Sequence, residues 1–171
     1  VGLESFSIGM RQRNGNQFAW KGDVGYHNEG TDAYEVHASH AIRILNALNG
    51  WVAGVETYRP APNRDDVHVL SNALQVRESR SMTIKENRLG RPQYFGGGGN
   101  GYMFVIESAE SLYRDNYAYN SRHNYSFKGM HTAGNVLLRN YSKDTYWASD
   151  FHQRLSMSNL IDSNTLDGDY W

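Results

Sequence analysis

Val76-Arg77-Glu78-Ser79-Arg80-Ser81-Met82-Thr83-Ile84-Lys85-Glu86-Asn87 is the first of four segments that read alike. The others are Ile106-Glu107-Ser108-Ala109-Glu110-Ser111-Leu112-Tyr113-Arg114-Asp115-Asn116, Gly134-Asn135-Val136-Leu137-Leu138-Arg139-Asn140 and Met157-Ser158-Asn159-Leu160-Ile161-Asp162-Ser163-Asn164. Each runs from a short apolar or alternating stretch through one or two polar residues to an asparagine. The asparagines fall at 87, 116, 140 and 164, in steps of 29, 24 and 24 residues. A period of this size marks a solenoid, whose repeats bury their apolar faces only against neighbouring repeats.

The segments between these asparagines are short and β-like, with turn residues every few positions. Strands of four or five residues, three to a period, describe a parallel β-helix whose rungs stack about 4.8 Å apart. About five such rungs fit the chain, read as one all-β domain over residues 1–171. The reading predicts two stacked columns. Asn87, Asn116, Asn140 and Asn164 form a ladder at a bend, each amide bonding the next, since asparagine both donates and accepts. Ile84, Leu112, Val136 and Leu160 form the aliphatic column beneath it. The competing arrangement, an antiparallel sandwich with asparagines in its turns, requires no such register.

Outward from the repeat the signals weaken. Ala41 to Gly50 carries apolar residues at helical spacing, but Asn46-Ala47-Leu48-Asn49-Gly50 disfavours a helix. Strands at Ile42–Leu45 and from Trp51 to Thr57 are expected instead. Further short strands are read at Val67–Leu70, Ala73–Val76, Ser81–Lys85, Tyr102–Glu107, Ser111–Arg114, Tyr125–Lys128, Asn135–Arg139, Gln153–Met157 and Asn159–Asp162. Gly9–His40 and Arg88–Gly101 read as loop excursions, the first with a short strand at Gln17–Trp20. Val1-Gly2-Leu3-Glu4-Ser5-Phe6 matches Ala53-Gly54-Val55-Glu56-Thr57-Tyr58 in character, which places Val1 in mid-rung and suggests a piece of a longer solenoid.

Composition narrows the function. A formal net charge of −1 and a pI near 6.7 leave no electrostatic footprint for nucleic acid or an anionic membrane. No apolar run approaches the roughly 18 residues of a membrane span. With no cysteine, disulfides and thiolate-bound metals are excluded. Low charge with 12 tyrosines, 17 glycines and abundant Asn and Ser suits a β-rich extracellular protein.

The repeat from Ser39 onward resembles the pectin-lyase-like, right-handed parallel β-helix superfamily. Gly97-Gly98-Gly99-Asn100-Gly101-Tyr102, Arg122-His123-Asn124, and Gly134-Asn135-Val136 with Asn140-Tyr141-Ser142 resemble a group of bacterial, secreted β-helix proteins. The resemblance implies the fold and a secreted or cell-surface location. It leaves activity open, because members include polysaccharide lyases, hydrolases, epimerases, adhesins and phage tailspikes, and the pectate-lyase motifs are not intact here. Such solenoids normally run to ten or so capped rungs, so further segments or other chains are expected to complete this one.

A β-helix flank lines up side chains of successive rungs, which suits an extended acidic polysaccharide. Eliminative cleavage of a uronate needs a base for the C5 proton and cations for the carboxylate. The densest cluster is Arg122, His123, Lys128 and His131, joined one rung on by Asp150, His152 and Arg154. The expected catalytic residues are Arg122, His131 and Arg154, with His131 and Arg154 as rung neighbours. The expected substrate-binding residues are His123, Lys128, His152, Trp147 and Tyr146. The alternative is a non-catalytic structural or adhesive solenoid, with the same residues merely solvated. No cofactor is required, although Asp144, Asp150, Asp162, Asp167 and Asp169 could bind Ca²⁺, which takes several oxygen ligands. His37 and His40 have a metal-like spacing without a third ligand.

Overall fold

The computed structural model describes residues 2–21 and 25–171. The expectations for Val1, and for residues 22–24 within the first loop, lie outside it. The first rung holds β1 (Gly2–Glu4), β2 (Ser7–Ile8), a long excursion with helix α1 (Asp32–Val36), and β3 (His40–Leu45). The second holds β4 (Trp51–Ala53), β5 (Glu56–Thr57) and β6 (Asn72–Arg80). The third holds β7 (Thr83–Lys85), β8 (Arg88–Gly90) and β9 (Tyr102–Ala109). The fourth holds β10 (Leu112–Arg114), β11 (Tyr117–Ser121) and β12 (His123–Lys128). The fifth holds β13 (Val136–Leu138), β14 (Tyr141–Thr145) and β15 (Asp150–His152), followed by β16 (Leu160–Asp162) and β17 (Thr165–Asp167).

Every third strand pairs, so the rungs build a six-stranded sheet β1-β4-β7-β10-β13-β16, a six-stranded sheet from β2 to β17 and a five-stranded sheet β3-β6-β9-β12-β15. Pairing of β1 with β4, β6 with β9 and β12 with β15 is parallel, as it is throughout. This is a parallel β-helix. Among the described residues no helix is long and apolar enough to cross a membrane.

The bends explain the asparagines. Ser5, Gly54, Glu86, Asp115, Arg139 and Ser163 all sit in the left-handed region, φ 51–61°. One such residue turns the chain sharply, at roughly 1–2 kcal/mol for a non-glycine. From the third rung on, an asparagine follows it and offsets that cost. Asn87 Nδ2 donates to Asn116 Oδ1, Asn116 Nδ2 to Asn140 Oδ1, and Asn140 Nδ2 to Asn164 Oδ1, each at 2.9 Å. The same oxygens accept backbone N–H groups of Asn87, Asn116 and Asn140. The ladder forms as the sequence predicts.

A second ladder, which the sequence period does not reveal, lines another bend. Asn49, Ser81, Glu110, Gly134 and Ser158 are also left-handed, and Met82, Ser111, Asn135 and Asn159 follow the last four. Asn135 Nδ2 donates to Asn159 Oδ1 at 2.9 Å, and Ser111 N–H donates to Asn135 Oδ1 at 3.1 Å.

The aliphatic column shifts by one residue from the expectation. Register places Leu3, Val52, Ile84, Tyr113, Leu137 and Ile161 in one stack, while Leu112, Val136 and Leu160 stack with Thr83 beside it. Leu160 is 54% exposed, whereas Ile84, Tyr113 and Leu137 are buried. In a three-residue strand only the middle side chain turns inward. The Tyr113 hydroxyl, inside the barrel of sheets, finds Ser108 Oγ at 2.9 Å. On the third sheet, in-register aromatics stack face to face: Phe104 on Tyr125 at 4.9 Å and Phe127 on Phe151 at 4.6 Å.

Other expectations need correction. Arg88–Gly90 is strand β8, so the second excursion starts at Arg91. Gln17–Trp20 is a turn, with Phe18 and Trp20 left-handed. Gln153–Met157 is no strand, because Gln153, Arg154 and Leu155 are consecutively left-handed and cannot pair as a ladder. Val67–Leu70 keeps only a single bridge, Val69 to Pro92. The opening hexapeptide aligns differently: Leu3 lies opposite Val52, not Val55. The strand reading of 42–45 and 51–57 holds.

Candidate functional site

The third sheet has the longest strands, up to nine residues in β6, and its outer face carries the polar cluster. The two excursions pack against each other beside it. Ala38 N–H donates to Asn100 Oδ1 at 2.7 Å, and Arg13 N–H donates to Gln93 Oε1 at 2.9 Å. Gly101 joins excursion to face. Its φ of +77° and a Cβ that would lie 2.9 Å from Arg122 Cβ leave room only for glycine. Its carbonyl accepts both Arg122 and His123 N–H groups, fixing where β12 begins.

Tyr102 is the centre. Its buried ring stacks on His123 at 4.7 Å and 10°, meets the His152 ring edge at 6.0 Å, and carries the Lys128 ammonium 3.6 Å from its centroid. Arg122 Nη1 donates to the Tyr102 hydroxyl at 3.4 Å. Asp150 accepts from Ser126 Oγ at 2.6 Å and lies 2.8 Å from His152 Nδ1 and 3.8 Å from His123 Nδ1. His123 Nδ1 donates to the Ala148 carbonyl, which fixes the tautomer and leaves Nε2 a bare lone pair. That atom is buried and makes no hydrogen bond among the described residues. Across β3 and β6, Arg43 Nε donates to Gln75 Oε1 at 2.8 Å, and Gln75 Nε2 donates to Glu107 Oε2 at 2.6 Å. Asn72 Nδ2 donates to His40 Nε2 at 3.4 Å.

Desolvation dominates the electrostatics. Burial lowers Lys128 from the usual lysine range to about 8, against opposing help from Glu107 and Asp150. Burial likewise lowers His123 to about 4, and burial with the neighbouring Arg43 lowers His40 to about 4. It pushes the Tyr102 hydroxyl up to about 12. Burial alone would raise Asp150, but hydrogen bonds from His152 and Ser126 prevail and hold it below the ordinary carboxylate range. The face therefore offers an amine that titrates near neutrality beside neutral imidazoles, a hydrogen-bonding phenol and an ionised carboxylate.

The expected residues divide. Lys128, His131 and Arg154 come together, lining one cavity of about 220 Å³ with Arg77, Glu78 and Glu107. The nearest register, the Ala133–Met157 bridge, sets Leu155 rather than Arg154 level with His131, so the two share the cavity wall without being register partners. Lys128 and Arg154 continue into a second cavity with His152 and Gln153. Arg122 and His123 join them through Tyr102, whose ring carries the Lys128 ammonium and stacks on His123 while its hydroxyl accepts from Arg122. Tyr146 and Trp147 are about half exposed, their backbone N–H groups donating to the Ser121 and Arg122 carbonyls at 2.9 Å. Tyr146 lines a separate hollow with Phe18, Lys21 and Phe95, the Phe95 ring 5.3 Å away. Tyr102, Glu107, Arg77 and His40 are parts of the face that sequence reasoning did not place there.

The aspartates stay dispersed. Asp167 takes Tyr141 and Lys143, and Asp169 takes Thr145 and Ser149. Among the described residues no three His, Asp or Glu side chains gather as a metal site. His37 turns to Asn100 and His40 to Asn72, so the pair shares no ligand. Asn124 and Asn140, each opening an Asn-Tyr-Ser triplet of the kind that N-glycosylation uses, are both buried. Comparison with protein-family models, curated proteins and solved structures finds no match.

Proposed function

We propose that this chain binds an acidic polysaccharide in the groove across β6, β9, β12 and β15, and cleaves it by β-elimination with Lys128 as the base. The observation that carries the proposal is the Lys128 ammonium, desolvated over Tyr102 without an ion-pair partner among the described residues, in a cavity it shares with His131 and Arg154. A neutral amine there takes the C5 proton of a uronate. Arg154 and His131 lie where they can neutralise the carboxylate as the enolate forms. The C4–O4 bond then breaks, the departing oxygen takes a proton from water, and Lys128 returns the C5 proton to solvent. This assigns the base to Lys128 rather than to Arg122 or Arg154, because arginine does not give up its proton in proteins, and leaves His131 in the same cavity as a carboxylate binder. Membership of the pectin-lyase-like superfamily and a secreted or cell-surface site belong to the same proposal, supported by the parallel β-helix.

A second reading, a non-catalytic adhesive solenoid, draws support from the number of polar groups already satisfied within the face. Asp150, Glu107, Gln75 and Arg43 all have internal partners. Incubation with a panel of uronate polymers, followed by ultraviolet absorbance of the unsaturated product, separates the two. Product formed by the wild type and lost in Lys128→Ala supports elimination. Binding without product from any polymer leaves the adhesive reading and rejects catalysis.

A further inference from the structure

Along the groove the charges alternate by rung. Arg77 of β6 lies opposite Glu107 of β9. Lys128 of β12 follows Phe127, which pairs with Ile106, so Lys128 comes beside Glu107 on the next rung. All three line the same cavity. In backbone order across the sheet these are cation, carboxylate, cation, with Arg77 also held 3.1 Å from Glu78 at the cavity wall. Strand spacing puts neighbouring backbones about 4.8 Å apart and those of Arg77 and Lys128 about 10 Å apart, the Lys128 ammonium leaning over Tyr102. Glu107 is anchored by Gln75 at 2.6 Å, so its carboxylate is a fixed feature of the middle rung.

We propose that the groove selects a polymer with a carboxylate on every second sugar over one with a carboxylate on each. This rests on the acidic-polysaccharide reading above and names its substrate class. An extended pyranose chain laid across the rungs advances by roughly one rung per sugar. Carboxylates two sugars apart then meet Arg77 and Lys128 in the resting complex, where Lys128 still carries its proton, and the intervening neutral sugar lies over Glu107. In a homopolymer of uronates the middle carboxylate meets Glu107 instead. Like charges held about 5 Å apart on a partly exposed face repel by about 1 kcal/mol or more, depending on the local dielectric.

The test compares binding of the full chain to hyaluronan, which alternates a uronate with a neutral amino sugar, and to polygalacturonate, at one fixed salt concentration. Hyaluronan is expected to bind at least about fivefold more tightly, the ratio corresponding to about 1 kcal/mol. Glu107→Gln removes the middle charge while a flipped amide still accepts from Gln75, so the variant should fold. It is expected to bind polygalacturonate more tightly and to narrow the ratio by about the same factor. Equal or stronger binding of polygalacturonate by the wild type overturns the inference and leaves the polysaccharide reading standing. So does an unchanged ratio in Glu107→Gln. Binding of neither polymer overturns both.

Discussion

Replacing Asn116 by alanine tests the ladder most directly. Asn116 is 1% exposed, and so is Asn87 beneath it. Its Oδ1 accepts from Asn87 N–H at 3.1 Å and from Asn87 Nδ2 at 2.9 Å. Its Nδ2 donates to the Ile84 carbonyl and to Asn140 Oδ1, both at 2.9 Å. The partners fare unequally when the amide goes. Asn87 Nδ2 keeps the Val52 carbonyl, and Asn140 Oδ1 keeps the Asn116 backbone N–H. The Asn87 N–H loses its acceptor where water cannot reach, a cost of about 1–3 kcal/mol, and the remaining lost bonds add about 0.5–1.5 kcal/mol each. The sum is roughly 4 kcal/mol, a large share of a typical 5–15 kcal/mol. Asn164 makes equivalent bonds but is partly exposed, so water substitutes and Asn164→Ala should cost about 1 kcal/mol. Urea unfolding followed by far-UV circular dichroism, with unchanged slope, measures both. Asn116→Asp should be worse than alanine, since a buried carboxylate would face the Ile84 carbonyl. If Asn116→Ala stays within about 1 kcal/mol of wild type, or costs no more than Asn164→Ala, the ladder is ornament and the reasoning fails.

If Lys128 is the base, the elimination rate below saturation should rise through pH about 8, where the amine becomes neutral, and a flat profile would remove it from that role. Lys128→Met should abolish product while leaving the urea midpoint equal or higher, because it replaces a desolvated charge by an apolar chain over Tyr102; a clear loss of stability would make Lys128 structural instead. His40 and His123 bind protons near pH 4 when folded and near pH 6.5 when unfolded, so the unfolded chain gains protons first. Their contribution is complete above pH about 6.5 and lost as pH falls towards 4, a slope that His123→Phe should reduce in stability measured across that window. Gly101→Ala should lower stability by about 2 kcal/mol or more in thermal unfolding, since it combines a left-handed alanine with contacts of 2.9 Å to Arg122 and 3.0 Å to the Tyr94 carbonyl; a neutral result would show that the excursion can give way.

The first ladder was legible because its position demands one residue type. A side chain there must accept from the rung below and donate to the rung above, so asparagine repeats and the period shows. The second ladder hid because its column is mixed, Met82 and Ser111 preceding Asn135 and Asn159. The inward column was misread by one residue for a related reason. In Leu112-Tyr113-Arg114 and Val136-Leu137-Leu138 apolar residues occupy outward positions too, and three residues are too few for alternation to decide. Of the site, sequence proximity gathered Arg122, His123, Lys128 and His131. It could not gather Arg77, Glu107 and Lys128, whose steps of 30 and 21 residues depart from the 24 of the later rungs. Those irregular steps are set by how much chain each rung spends in its excursions and turns, which only the register reveals.

The distribution of charge separates scaffold from site on physical grounds. Several exposed cations are matched by carboxylates on the neighbouring rung: Arg80 with Glu110, Arg139 with Asp115, Lys143 with Asp167 and Arg88 with Glu56. Such pairs on neighbouring rungs contribute little individually. What they do is keep like charges from stacking about 4.8 Å apart, the hazard peculiar to an in-register parallel sheet. Lys128 breaks that rule. It is desolvated, lies over an aromatic ring, and has no carboxylate partner among the described residues, although Glu107 stands on the next rung bound to Gln75. Packing and register do not require an ammonium at that point, and an apolar chain would fill it at lower cost. An amine that gives up its proton near pH 8, held over a ring in the cavity of Arg154 and His131, is what the proposed elimination requires of its base.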